Sequence, residues 1–230
     1  MAAVLLVYSR SQATTLGPLV EVRCPVDDTH FHVRFAKSQL RAPLGEFVRL
    51  PSPERIHQCP KCGWVGTRHD LVDVTVDRPS TNEIHQSAAL LASPRWVSSI
   101  GSTRDQLWMR LQRSAELAAI RHRDPRDIAW RYLQAAGQAP ISGASDERHR
   151  LVALAQTYLA RAPLDDHSSR YAAAELARQL CDSRFARTEL KRLATAVTPS
   201  RPIAAWIRRA LRDTERPDSS AKCKPTTRSK

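Results

Sequence analysis

Between residues 18 and 77 the hydrophobic positions recur every second residue, which sets this part of the chain apart from the remainder. "LVEVR" runs up to Cys24, and in "FHVRF" Phe31, Val33 and Phe35 share one side while His32 and Arg34 share the other. Such alternation is that of half-buried strands. The Pro-rich "APLGEFVRLPSPERIHQ" reads as a loop between strands. "GWVGTRHDLVDVTVD", after Cys62, has room for one more strand, and "RPSTN" marks a boundary.

From Glu83 onward the period changes to that of helices. "GSTRDQLWMRLQRSAELAAIRH" opens with Ser102 as N-cap and Asp105 in the first turn, and its Leu107, Leu111, Leu117 and Ile120 can line one face. "DPRDIAWRYLQAA" places Asp124 as N-cap and Pro125 at the first helical position, where the missing N–H costs nothing. "SDERHRLVALAQTYLARAP" is a helix ended by Pro163. A pair of helices broken at "CDSR" comes next, then a third starting near Ser200. Small residues recur beside aromatic ones in "WRYLQAA", "QTYLARA" and "RYAAAELARQL". That is how stacked helix pairs of tetratricopeptide type pack, although the period here is irregular. The tail "TERPDSSAKCKPTTRSK" lacks the apolar residues needed to fold.

The pattern predicts an α+β protein: a small β-rich module over 18–80, an α-helical, tetratricopeptide-like half over 83–214, and a disordered basic tail over 215–230. Composition agrees with a soluble protein, at 42% hydrophobic and 26% charged residues. No run approaches the roughly 18 apolar residues of a membrane span. "MAAVLLVYSR" lacks a basic n-region and is too short for a signal peptide, so a cytoplasmic location is expected. Five cysteines in such a chain point to metal rather than to disulfides. A formal charge of +13 invites a nucleic-acid partner. The cations are nearly all Arg, however, and with the abundant Ala this fits a base-composition bias that fills solvated helix faces.

The candidate chemistry is concentrated in two short stretches. In "CPKCG", Cys59 and Cys62 lie on a tight turn that Pro60 starts and Gly63 can close, so both sulfurs can reach one ion at about 2.3 Å. A redox dithiol would precede a long helix, and Gly63, Val65 and Gly66 make a poor helix start. The matching stretch is "RCPVDD": Cys24 and Pro25 correspond to Cys59 and Pro60, and Asp27 stands where a second cysteine would. Cys24, Asp27, Cys59 and Cys62 form the first ligand set for a structural zinc. His30 is the next alternative for the fourth place, with His32 and His57 nearby, and a chain that has lost its metal is the third.

Taken together, "CP…F.V", the Pro-rich loop, "CPKCGW" and "RYAAAELARQLCDSRFARTELKRL" resemble uncharacterised bacterial proteins that join a zinc-ribbon-like N-terminal region to tetratricopeptide-like helices. That family has Cys-Pro-x-Cys in its first turn, from which Asp27 departs. The resemblance implies no catalytic residues.

Nothing else in the chain supplies catalysis. With 7 glycines there is no phosphate-binding loop, and neither His-Glu-x-x-His nor a deaminase His-x-Glu occurs. Asp165, Asp166 and His167 read as a helix cap, and Trp64 as a cover for the metal site. The expected function is that of a non-enzymatic interaction or scaffold protein with a protein partner. The alternative is nucleic-acid binding, favoured if Arg104, Arg110, Arg113, Arg121, Arg123 and Arg126 form one stripe.

Overall fold

The computed structural model describes residues 16–36, 43–44, 48–49, 56–72, 79–97, 107–139, 145–198 and 201–215. It is an α+β protein, with short strands in the N-terminal region and helices in the remainder. The expected N-cap at Ser102, the apolar start of the chain and the tail beyond Glu215 lie outside the described residues. Among the described residues no helix is long and apolar enough to cross a membrane. By contacts the chain divides into two units, 1–148 and 149–230.

In the first unit, β1 (Leu16–Arg23) and β2 (His30–Ala36) form an antiparallel hairpin in which Val22 faces Phe31 and Val20 faces Val33. The register is irregular between Leu16 and Leu19, where Pro18 has no N–H to give to the ladder. Val22, Phe31, Val33 and Phe35 are buried while His32 and Arg34 are exposed, as the alternation requires. The Pro-rich loop carries one small pairing, β3 (Pro43–Leu44) with β4 (Val48–Arg49). β5 (His57–Gln58) and β6 (Val65–Gly66) make a second hairpin.

The strand expected after Cys62 is only these two residues of β6, because Arg68–Val72 is a short helix, α1. Asp70 favours it locally: its carboxylate accepts from both the amide and the hydroxyl of Thr67, at 2.8 Å each, and so satisfies a donor at the helix start.

α2 (Thr81–Leu91) begins in a full capping box, with Ser80 and Glu83 bonded to each other's amides. α3 (Pro94–Val97) buries Trp96, whose indole N–H donates to Glu116 at 3.0 Å. α4 (Leu107–Ile120) and α5 (Pro125–Gln138) pack together across a four-residue turn. His122 enters the left-handed region at φ 49° to end α4, and Asp124 and Pro125 start α5 as the sequence predicts. Strands and helices share a core here: Cys24, Phe31, Phe35, Cys59 and Trp64 cluster with Leu71, Leu91 and Leu117.

α6 (Ser145–Leu159) spans the boundary between the units. Beyond it, α7 (His167–Gln179), α8 (Ser183–Ala196) and α9 (Pro202–Glu215) pack through Ala174, Leu190, Leu193, Val197, Ala204, Ile207 and Ala210. Asp166 and Asp182 are the N-caps of α7 and α8, accepting from Ser169 and Phe185. Asp166 thus takes the capping role expected for its cluster. The break at "CDSR" is a left-handed turn at Cys181, φ 67°. Glu189, nearly buried, is held by both guanidinium arms of Arg170 at 2.7 Å and by Arg192.

Candidate metal centre

Each hairpin presents its ligands from the six-residue turn between its strands, and the two turns are built alike. In the first, the Cys24 amide donates to the Thr29 carbonyl at 2.8 Å and the Asp28 amide returns to the Cys24 carbonyl at 3.2 Å. In the second, the Cys59 amide donates to Trp64 at 2.8 Å and the Gly63 amide to Cys59 at 3.1 Å. The chain reverses through a positive φ at equivalent places, 61° at Asp28 and 73° at Gly63. Two turns closed by the same hydrogen bonds project their first and fourth residues the same way. Asp27 therefore stands where Cys62 stands in the other turn.

The ligand atoms of Cys24, Asp27, Cys59 and Cys62 all lie within 4.8 Å of one another. Cys24 Sγ and Cys62 Sγ are 3.6 Å apart, and Cys59 Sγ is 3.7 Å from Asp27 Oδ1. For a tetrahedral ion with sulfur at about 2.3 Å and carboxylate oxygen at about 2.0 to 2.2 Å, the edges are about 3.8 Å for S–S and about 3.5 to 3.7 Å for S–O. The residues present therefore fit a single small metal ion.

The alternatives for the fourth ligand are directed elsewhere. His30 is exposed and its Nδ1 lies 3.2 Å from Glu21. His32 is exposed on the opposite face from Phe31. His57 meets the Phe35 ring edge-on at 5.0 Å, and burial lowers its pKa. None of the three belongs to the ligand group.

Cys24 and Cys59 are fully buried, whereas Cys62 and Asp27 are partly exposed. Cys24 and Cys62 are within hydrogen-bonding reach of each other, at 3.6 Å. The hydrogen bond from Cys24 brings Cys62 down to about 7, the same contact together with burial pushes Cys24 up, and burial raises Cys59. For Asp27 burial favours the neutral acid, but the Cys24 thiol, the Thr29 amide at 3.1 Å and the charge of Lys61 outweigh it and lower its pKa. One thiol and one carboxylate are thus inclined to ionise before any ion arrives. Metal ligation needs those forms.

The surroundings hold the site rigid. Trp64 is 2% exposed, in one cluster with Cys24 and Cys59, so it covers the ligands rather than presenting a surface. Its ring passes over Gly66, where an added Cβ would meet Trp64 Cζ2 at 2.7 Å and Asp70 Cβ at 2.9 Å. On the other side, the fully buried guanidinium of Arg113 donates to the Gly63 carbonyl at 3.1 Å and lies 4.9 Å from the Trp96 ring. α4 therefore grips the turn that carries Cys59 and Cys62. A second buried contact ties α1 to α5: Arg131 donates to Asp70 at 3.0 Å and to Asp127 at 2.8 Å. Arg121 and Arg123 approach the same Asp70 carboxylate at 3.8 and 3.9 Å.

Neither Arg113, Arg131 nor Asp70 stood out in the sequence as a partner of the cysteines. The one available signal was Thr-x-x-Asp at 67–70, a helix start directly after β6. The same contacts bear on the Arg stripe. Arg113, Arg121 and Arg123 turn inward and Arg126 outward, while Arg104 lies outside the described residues.

Comparison with protein-family models, with curated proteins and with solved structures finds no match to this chain. No family model therefore supports the resemblance drawn from the sequence. What is directly visible is a small β region with a Cys/Asp cluster beside a mainly helical remainder.

Proposed function

We propose that the chain is a non-enzymatic interaction protein whose zinc-ribbon-like module is held by one structural zinc on Cys24, Asp27, Cys59 and Cys62. The observation that carries this reading is the convergence of the four ligand atoms within 4.8 Å from two turns of matching construction. Three thiolates and one carboxylate with tetrahedral edges suit zinc better than the harder or octahedral ions. A filled set of four protein ligands leaves no position for substrate, which favours a structural over a catalytic role. Zinc here supplies stability that two short hairpins lack alone.

The helices beyond the module supply the recognition surface for a protein partner. Supporting this are helices of 13 and 14 residues, α7 and α8, whose packed faces carry Ala173, Ala174, Ala177 and Ala186, all fully buried. Close approach through small residues is the packing of tetratricopeptide-like pairs. The charge of +13 favours nucleic acid as a second reading. Against it, three of the arginines that would form the stripe are engaged inside the fold.

Elemental analysis of the purified chain tests the metal centre. About one zinc per chain, lost in Cys59→Ser, is the expected result, and a folded chain that takes up no metal overturns it. For the partner class, DNA or RNA binding that weakens steeply with added salt would replace the protein-partner reading.

A further inference from the structure

The four ligands are not equivalent toward an oxidant. Cys24 and Cys59 are fully buried, and Cys62 alone of the three thiols reaches solvent. The sulfur beside Cys62 is that of Cys24, 38 residues away in sequence and 3.6 Å away in space. Cys59 Sγ instead faces Asp27, at 3.7 and 4.0 Å to its two oxygens. With Asp27 in place of a fourth thiol, the site holds an odd number of sulfurs, so one disulfide consumes two and leaves one.

We propose that Cys62 is the site at which a peroxide oxidises this protein, and that Cys24 resolves it to a disulfide that joins the two hairpins and expels the metal. The Cys62 thiolate attacks one peroxide oxygen, forming S–O as O–O breaks, and the other oxygen leaves as water after taking up a proton. The Cys24 thiolate then attacks the Cys62 sulfur. The S–S bond forms, the S–O bond breaks, and hydroxide departs to become a second water. The sulfur pair loses two electrons and the peroxide gains them. Cys59 and Asp27 remain, one thiolate and one carboxylate, which is too few donors to keep zinc. The expulsion step rests on the zinc reading above, and the choice of sulfur pair does not.

Trypsin distinguishes the possible pairs, because Lys61 separates the two cysteines of "CPKC": Cys24 falls in the peptide 24–34, Cys59 in 56–61 and Cys62 in 62–68. The full-length chain is treated with one equivalent of hydrogen peroxide, alkylated and mapped by mass spectrometry, while a chromogenic chelator follows zinc release. The expected product links 24–34 to 62–68, leaves Cys59 alkylated, and appears in step with one zinc per chain. In Cys24→Ser the link is lost and Cys62 carries sulfenic acid instead, trapped as its dimedone adduct. A dominant link between 56–61 and 62–68 overturns the proposal, as does a zinc-loaded chain that yields no link to 62–68. If the 24–34 link forms in a chain that never held zinc, the oxidation site stands and the metal reading falls.

Discussion

Asp28 and Gly63 occupy equivalent corners of the two ligand turns, each with a positive φ and each returning its amide to the cysteine four residues before it. Glycine adopts that conformation freely and aspartate does so at a cost. Asp28→Gly is therefore expected to stabilise the first turn by about 0.5 to 1 kcal/mol, against loss of an exposed ion pair with Arg23 worth less than about 1 kcal/mol. Gly63→Ala is expected to cost about 1 to 2 kcal/mol. Urea melts of the two variants, which should move in opposite directions, check the equivalence.

Asp27 serves in two ways, as a ligand candidate and as the acceptor for the Thr29 amide. Asp27→Asn keeps an acceptor for that amide while removing the negative charge, and Asp27→Ala removes both. Zinc affinity measured by chelator competition should fall by about tenfold or more in both variants. Asp27→Cys, which restores the arrangement of the second turn, should raise affinity above that of the wild type. If Asp27→Asn leaves affinity unchanged, the carboxylate is not a ligand.

Much of this could be read before any coordinates. The alternation around Phe31, Val33 and Phe35, the pairing of the two cysteine turns and the start of α5 at Asp124 and Pro125 are local, and local sequence encodes them. What stayed hidden depends on distant partners. Asp70 and Arg131 are 61 residues apart and Gly63 and Arg113 are 50 apart, and a charged residue that will be buried looks in sequence like any other charge on a helix. The helix at Arg68–Val72 was obscured by neighbouring Val residues that suit a strand, until Asp70 closed the turn with Thr67.

The same Asp70 gives the fold an acid limb. Burial disfavours its charge, but the Arg131 guanidinium and the hydrogen bonds from Thr67 outweigh that and hold its pKa below the ordinary 3.8. The folded chain thus binds the proton less readily than the unfolded chain. The stability Asp70 contributes is complete above about pH 4 and is lost as pH falls through the depressed folded value. Asp70→Asn should lower stability at neutral pH and flatten the decline in acid. Arg131→Met, which leaves the buried carboxylate without its nearest cation, should cost about 3 to 5 kcal/mol. Melts between pH 2 and 7 check both, and an unchanged acid limb in Asp70→Asn would remove Asp70 as its source.

Arg113 makes the metal centre a matter for the helices as well as for the hairpins. Its guanidinium donates to the Gly63 carbonyl from within α4, and Cys24, Cys59 and Trp64 share their core with Leu91 and Leu117. An ion that binds only the folded turns stabilises everything that unfolds with them, by about 4 kcal/mol when zinc is a thousandfold above its dissociation constant. Zinc should therefore raise the melting midpoint of α4 and α5 together with that of the hairpins, in one transition rather than two. Arg113→Met removes the grip on the turn and strands its carbonyl, so it should weaken zinc binding and reduce that stabilisation. Arg113→Lys, which keeps a charge but not the planar fork over Trp96, should fall between. Hydrogen exchange with and without zinc provides the check. Protection gained by the amides of α4 on zinc addition in the wild type, and lost in Arg113→Met, is the expected outcome, whereas protection confined to residues 22–36 and 56–66 would show that the hairpins take up metal independently of the helices.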